Sequence, residues 1–142
     1  MTPLRFDIDS LMDRLGEKRA RRAQNYFNSG WVRLVSIEDG RALAVVTGET
    51  GKLYSVEVRD DGEGECTCPD FPLERTCKHI GATALAADAM GPREARALDG
   101  RLSNLRDVLA AEPREALVAR LMDLARHLPR AAEMLEGGEA ET

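Results

Sequence analysis

Cys66-Thr67-Cys68-Pro69-Asp70-Phe71-Pro72-Leu73-Glu74-Arg75-Thr76-Cys77-Lys78-His79 is the stretch on which the reading of this chain turns. Its C-x-C…C-x-H pattern uses all 3 cysteines and one of the 2 histidines, and supplies the thiolate and imidazole donors that a tetrahedral zinc ion takes. In an extended segment residues two apart share a face, so Cys66 and Cys68 at a strand end can both reach one ion. Inside a helix residues two apart point about 200° from each other, so Cys77 and His79 must flank a helix start. Ile80-Gly81-Ala82-Thr83-Ala84-Leu85-Ala86-Ala87, which follows them, is apolar and helix-compatible. The expected unit is strand, knuckle, loop and helix, closed on one structural Zn2+ by Cys66, Cys68, Cys77 and His79.

Other readings of these residues are weaker. Cysteines are often small buried hydrophobes, but that leaves the joint spacing and the helix-start context unexplained. A disulfide suits neither the odd cysteine count nor a pair separated by one residue. The short separation between the two pairs excludes a C2H2 finger. His127, in an Arg/Leu-rich segment, reads as a surface or helix-capping residue rather than a ligand.

Working outward, Asp9-Ser10 with Asp13 signals a helix start, and Leu11, Met12, Leu15, Ala23, Tyr26 and Phe27 share one side of a helical wheel until Gly30. This predicts a single amphipathic first helix. From Trp31 the period becomes that of strands: Val32, Leu34 and Ser36 alternate with Arg33, Val35 and Ile37, and Asp39-Gly40 supplies a hairpin turn before a strand over 42–47. Gly48 to Gly51 turns into a strand over 53–58, and the charged turn Asp60-Asp61-Gly62-Glu63-Gly64 leads through Glu65 to the first cysteine pair. After the finger helix, Gly91-Pro92 breaks the chain into a helical tail. There Leu102, Leu105 and Leu109 suit one helix, and Pro113 begins a longer one carrying Leu117, Leu121, Leu124 and Leu128. The fold class expected is α+β: an N-terminal helix, a small antiparallel β-meander running into the zinc finger, then a helical C-terminal tail. The expected divisions are a zinc-binding domain over 1–91 with its finger at 65–90, a helical extension over 92–136, and a disordered acidic tail over 137–142.

The ligand set resembles the SWIM zinc finger, and so do its neighbours. That family often places Pro and an aromatic after the first pair, as Pro69 and Phe71 stand here, and often has Cys-Lys-His followed by a small-residue helix. Tyr26 to Val32 and Tyr54 to Val58 are similar to the helix and strands preceding the finger in small bacterial-type SWIM proteins. Glu112 to Val118 with Leu128-Pro129 is loosely similar to a helical tail seen after some of them. Arg22-Ala23 departs from the Arg-Gly of many relatives, which touches backbone freedom rather than the ligands. The resemblance implies nucleic-acid binding or protein-protein interaction, since these fingers occur in chromatin-remodelling ATPases, transposases, ubiquitin-ligase kinases and recombination mediators.

Composition bounds the function classes. At 142 residues, with 43% hydrophobic and 32% charged residues, the chain suits one modest domain plus an appendage. Aromatics are 4%, so the core rests on Leu, Val and Ala, and metal can compensate for limited burial. There is neither a bilayer-length apolar run nor a charged-then-apolar leader, so the expected location is cytoplasmic, with no membrane partner. The net charge is −5, which makes any nucleic-acid surface a local one. Arg14, Lys18, Arg21 and Arg22 form a narrow stripe on the first helix, and Arg75 and Lys78 flank the metal ligands, where they also offset thiolate charge. Three Cys and one His fill a tetrahedron, and no Gly-rich phosphate loop, serine elbow or H-E-x-x-H helix is present, so neither an enzyme nor a small-molecule substrate is expected. The leading expectation is a non-catalytic module that binds nucleic acid, DNA first, as an adaptor or regulator in DNA transactions. The alternative is protein docking through Leu117, Leu121 and Leu124 of the tail. A redox sensor working by thiolate oxidation ranks last.

Overall fold

The computed structural model describes residues 5–137. The described residues as far as Leu102 form one compact unit, and those from Ser103 a second. Residues 138–142 of the expected acidic tail lie outside the described residues.

The first unit opens with two helices where the sequence pattern suggested one. α1 (Ile8–Leu15) is capped by Asp7, whose carboxylate accepts from the Ser10 N–H at 3.2 Å and the Ser10 hydroxyl at 2.9 Å. Those two bonds hold the Asp7 carboxyl below its ordinary pKa, so its capping contribution is lost as pH falls through that lowered value. Gly16 then adopts φ 87°, a left-handed conformation that ends α1 and starts α2 (Glu17–Asn28). The turn sets Leu11 and Leu15 of α1, and Ala23 and Tyr26 of α2, in the same core. α2 ends in a Schellman motif: the Gly30 N–H donates to Phe27 O, the Trp31 N–H donates to Tyr26 O, and Gly30 has φ 74°.

β1 (Val32–Glu38), β2 (Arg41–Thr47), β3 (Leu53–Arg59) and β4 (Gly64–Cys66) form an antiparallel sheet in the order β1-β2-β3-β4. Asp39 and Gly40 both have positive φ, the signature of the tight hairpin turn expected at these residues. Strict alternation fails at one point. A bulge between Leu34 and Ser36 changes the phase of β1, so Ile37, opposite Ala42, joins the core, and Ser36 pairs with Leu43. Ser36 is nevertheless buried, because the chain returns over it: its Oγ accepts from the Leu102 N–H at 3.1 Å, and the Gly100 N–H donates to Ile37 O at 2.8 Å. These contacts, with the buried Leu98 of α5 (Pro92–Leu98), carry the first unit beyond the Gly91-Pro92 break expected to bound it.

α4 (Lys78–Asp88) is the middle layer, packed against all four strands on one side and against α1 and α2 on the other. Ile80, Gly81, Ala82, Thr83, Ala84 and Ala87 are buried, which explains why so few large side chains suffice. The close approach is tightest at Gly81, where a Cβ would stand 2.6 Å from Leu15 Cδ1 and 2.9 Å from Ala23 Cβ.

In the second unit α6 (Arg101–Ala110), which begins at the end of the first, leads to α7 (Arg114–His127) and α8 (Pro129–Leu135). Arg120 closes on the Glu112 carboxylate with two bonds, of 2.7 and 2.6 Å, and α7 packs on α8. Leu128, expected within the longer helix, is extended at φ −130° and ψ 99°, because Pro129 disfavours helical geometry in the residue before it.

Gly81→Ala is expected to destabilise the protein although alanine favours helix by about 1 kcal/mol, because overpacking at this crossing costs about 1–3 kcal/mol, and Gly81→Val is expected to cost more. Urea unfolding of the metal-loaded protein checks this; an unchanged or raised midpoint for both variants contradicts it.

Candidate metal centre

The four expected ligands meet at the junction of sheet and helix. Cys66 ends β4 opposite Val56, and pairing continues one residue on, where the Thr67 N–H donates to Ser55 O at 3.1 Å and Thr67 Oγ1 accepts from the Ser55 N–H at 3.0 Å. This extended hold turns the Cys66 and Cys68 side chains to the same buried side. α3 (Phe71–Glu74), a single turn not foreseen in the loop, then reverses the chain. It ends at Arg75, whose left-handed φ of 60° is uncommon for a side-chain-bearing residue and whose N–H donates to Phe71 O at 2.7 Å. Cys77, extended at φ −164°, stands at the N-cap of α4, and His79 lies in the first turn, as the two-residue spacing requires.

All four donor atoms lie within 4.8 Å of one another and all four residues are buried. His79 Nδ1 is 3.7 Å from Cys66 Sγ and 3.8 Å from Cys77 Sγ. A tetrahedron with metal–sulfur bonds of about 2.3 Å and a metal–nitrogen bond of about 2.0 Å has edges of about 3.5–3.8 Å. Both imidazole–sulfur separations match such a tetrahedron, which points to Nδ1 rather than Nε2 of His79 as the donor to one ion. The imidazole is held between the Tyr54 ring (centroids 4.9 Å apart, tilted by 35°) and the Tyr26 ring (5.2 Å, edge-on at 79°). Its Nε2 is buried with no hydrogen-bond partner among the described residues, as is Thr83 Oγ1 one turn further along α4.

The three thiols also act on one another electrostatically. The Cys66 thiol is pushed far above its ordinary range by its hydrogen bond to Cys77 and by burial, and Cys68 is raised by burial and then by the charge on Cys77. Cys77 is drawn down to about 4 by the hydrogen bond from Cys66, with His79 and the Ile80 N–H assisting. The buried sulfurs thus favour a shared negative charge centred on Cys77. A divalent cation replaces the thiol protons, and its binding weakens as pH falls and protons compete for the same sulfurs.

The cationic residues are distributed differently from the expected stripe, because the turn at Gly16 divides it. Arg14 reaches from α1 to the β3–β4 turn, with its guanidinium 3.0 Å from Glu63 Oε2 and 3.5 Å from Asp61 O. On α2, Arg21 pairs with Glu17 at 3.4 Å, while Lys18 and Arg22 are exposed. Arg19 ties α2 to its surroundings through Leu15 O at 2.6 Å and Glu74 at 3.7 Å. Arg75 is exposed beside the knuckle, and Lys78 extends over Tyr26 with Nζ 5.9 Å from the ring centroid. In the second unit Leu117 is half-buried and Leu121 and Leu124 are exposed. His127 is exposed in the last turn of α7 with its Nδ1 2.8 Å from Asp123 O. Tyr26, Trp31 and Tyr54 were not singled out as site residues. Tyr26 and Tyr54 read only as helix and strand residues, and their meeting at His79 is a long-range contact with no local signal.

The fold defined here is an α+β unit with a Cys3His cluster where sheet meets helix, a chemistry suited to zinc. Comparison of the chain with protein-family models, with characterised proteins and with solved structures finds no match of any of the three kinds. Among the described residues no helix is long and apolar enough to cross a membrane.

Cys77→Ala is expected to abolish metal binding and make residues 5–102 protease-sensitive, whereas His127→Ala leaves metal content at one ion per chain. Elemental analysis with limited proteolysis measures both. An unaltered metal content in the Cys77 variant contradicts the assignment.

Proposed function

We propose that the first unit is a non-catalytic, zinc-stabilised module that binds nucleic acid, with DNA as the first candidate, and serves as an adaptor or regulator in DNA transactions. The likeness of Cys66-x-Cys68…Cys77-x-His79 and its flanks to SWIM fingers supports this reading, as does a donor set that fills a tetrahedron and so keeps no position for water or substrate. The observation that carries it is local. Lys78 from the first turn of α4 lies over the ring of Tyr26, which packs on His79, and Arg22 stands one helical turn before Tyr26 on α2; neither cation has an acidic partner within 4.0 Å among the described residues. Lys18 and Arg75 are exposed nearby in sequence, so these elements present cations that internal ion pairing does not consume. Zinc would place this surface by joining β4 to α4, and it would supply folding energy rather than chemistry. Arg14, engaged with Glu63, would contribute little.

A second reading rests on the other unit. Among the described residues of α6, α7 and α8 no side chain is fully buried, and Leu105, Val118, Leu121, Met122 and Leu124 are exposed. Such a surface suits docking of a protein partner.

Fluorescence anisotropy of labelled oligonucleotides with the zinc-loaded protein, at about 50 and 200 mM salt, tests the first reading. Micromolar binding that weakens with salt is expected, with Arg22→Glu and Lys78→Glu reducing it at least about tenfold and Arg14→Glu having the smallest effect. Absence of binding at low salt would shift the reading to the tail. There, Leu121→Glu with Leu124→Glu should abolish capture of a partner while metal content is unchanged.

A further inference from the structure

We propose that Trp31 is a stacking platform for an unpaired base, so that the nucleic acid this module recognises is single-stranded. This deepens the nucleic-acid reading above and rests on it.

Trp31 is the chain's single tryptophan, and it is 41% exposed on a protein with few aromatic residues. Its position is fixed on both sides of its Cα. Its N–H donates to Tyr26 O at 3.1 Å, closing the Schellman motif, and its carbonyl accepts from the Thr47 N–H at 3.0 Å as the chain enters the sheet. Its indole meets the Tyr26 ring edge-on, with centroids 5.0 Å apart and planes at 89°. The hydrophobic contact that commonly accompanies such a helix end is made with Tyr26, and 41% of the residue is left to solvent. The result is a rigid exposed aromatic, which loses little conformational entropy when a base is laid on it.

The cations lie around the same hub. Tyr26 touches Trp31 on one side and carries the Lys78 ammonium over its ring, and Arg22 stands one helical turn before it on α2. An aromatic face with flanking cations is the arrangement that binds single strands, because every base offers a π-face and the cations follow the phosphates. A duplex keeps its bases stacked on each other and offers this indole nothing but its backbone. Glu49 is an acidic residue on the same side of the hub, two residues beyond Thr47, whose N–H holds the Trp31 carbonyl. Its carboxylate repels phosphate, so Glu49→Gln should tighten binding.

The test uses the full zinc-loaded chain, an oligothymidine of about 12 nucleotides and a mixed-sequence duplex of the same length. Because Trp31 is the only indole, its emission reports directly on stacking. The expected result is tighter binding of the single strand, quenching of Trp31 emission by that strand alone, and at least about a fivefold loss of single-strand affinity in Trp31→Leu with duplex affinity unchanged. Trp31→Phe, which keeps an aromatic face, should recover part of the loss. Metal content and far-UV circular dichroism show whether the leucine variant is folded, and the wild-type quenching stands even if it is not. Equal binding of both nucleic acids with unquenched Trp31 would overturn the stacking proposal and leave the nucleic-acid reading in place. Binding of neither would remove both.

Discussion

The closure of four donor atoms at the first turn of α4 is the constraint on which the rest of the first unit depends. α4 is the layer that both the sheet and the helix pair pack upon, and its N-terminus is where Cys77 and His79 meet the two cysteines that leave β4. A helix lined with Gly81, Ala82, Ala84 and Ala87 can be approached closely on all sides, but small side chains interlock weakly and leave its axial position poorly determined. Tying its first turn to a strand end determines both position and rotation. The arrangement also sets the aromatic surroundings, since the imidazole that turns its Nδ1 to the sulfurs lies between Tyr26 of α2 and Tyr54 of β3.

Close packing supplies part of the stabilisation, and a bound ion would add to it by tying β4 to α4. The buried core holds two aromatic residues, Phe6 and Tyr26, among the described residues, so most of the apolar area removed from water comes from Leu, Val, Ile and Ala at short distance. The two unpartnered buried polar atoms near the centre, His79 Nε2 and Thr83 Oγ1, lie on the same face of α4 one turn apart. Burying them costs free energy that the surrounding apolar burial must offset.

Much of this was legible in the sequence because the deciding signals are local. Two-residue spacing selects a strand end for one cysteine pair and a helix start for the other, and Asp39-Gly40 carries its turn geometry in its own backbone preferences. What escaped was governed by tertiary context. Gly16 divides a helical wheel whose apolar side looked continuous, because the core rewards a bend that puts Leu15 and Ala23 together against Gly81. The bulge after Leu34 is a single extra residue that period-two reading cannot detect. The cationic stripe was drawn on a straight helix, and partners from distant turns, such as Glu63 for Arg14, are invisible to a wheel. Trp31 announced only the end of a helix, since exposure is a property of the folded surface.

The return of the chain along β1 has a further consequence. A four-stranded open sheet has two free margins, and unpaired margins recruit strands from other molecules into indefinite assemblies. Here one margin belongs to β4, only three residues long before the metal knuckle turns it away. The other belongs to β1, where the bulge distorts the ladder and Asp99 forms a parallel bridge to Ile37, with the Gly100 N–H occupying the Ile37 carbonyl. Neither margin offers a long flat template. The segment from Asp99 to Leu102, which looks like a mere connection to the second unit, thereby guards the sheet against amyloid-like growth.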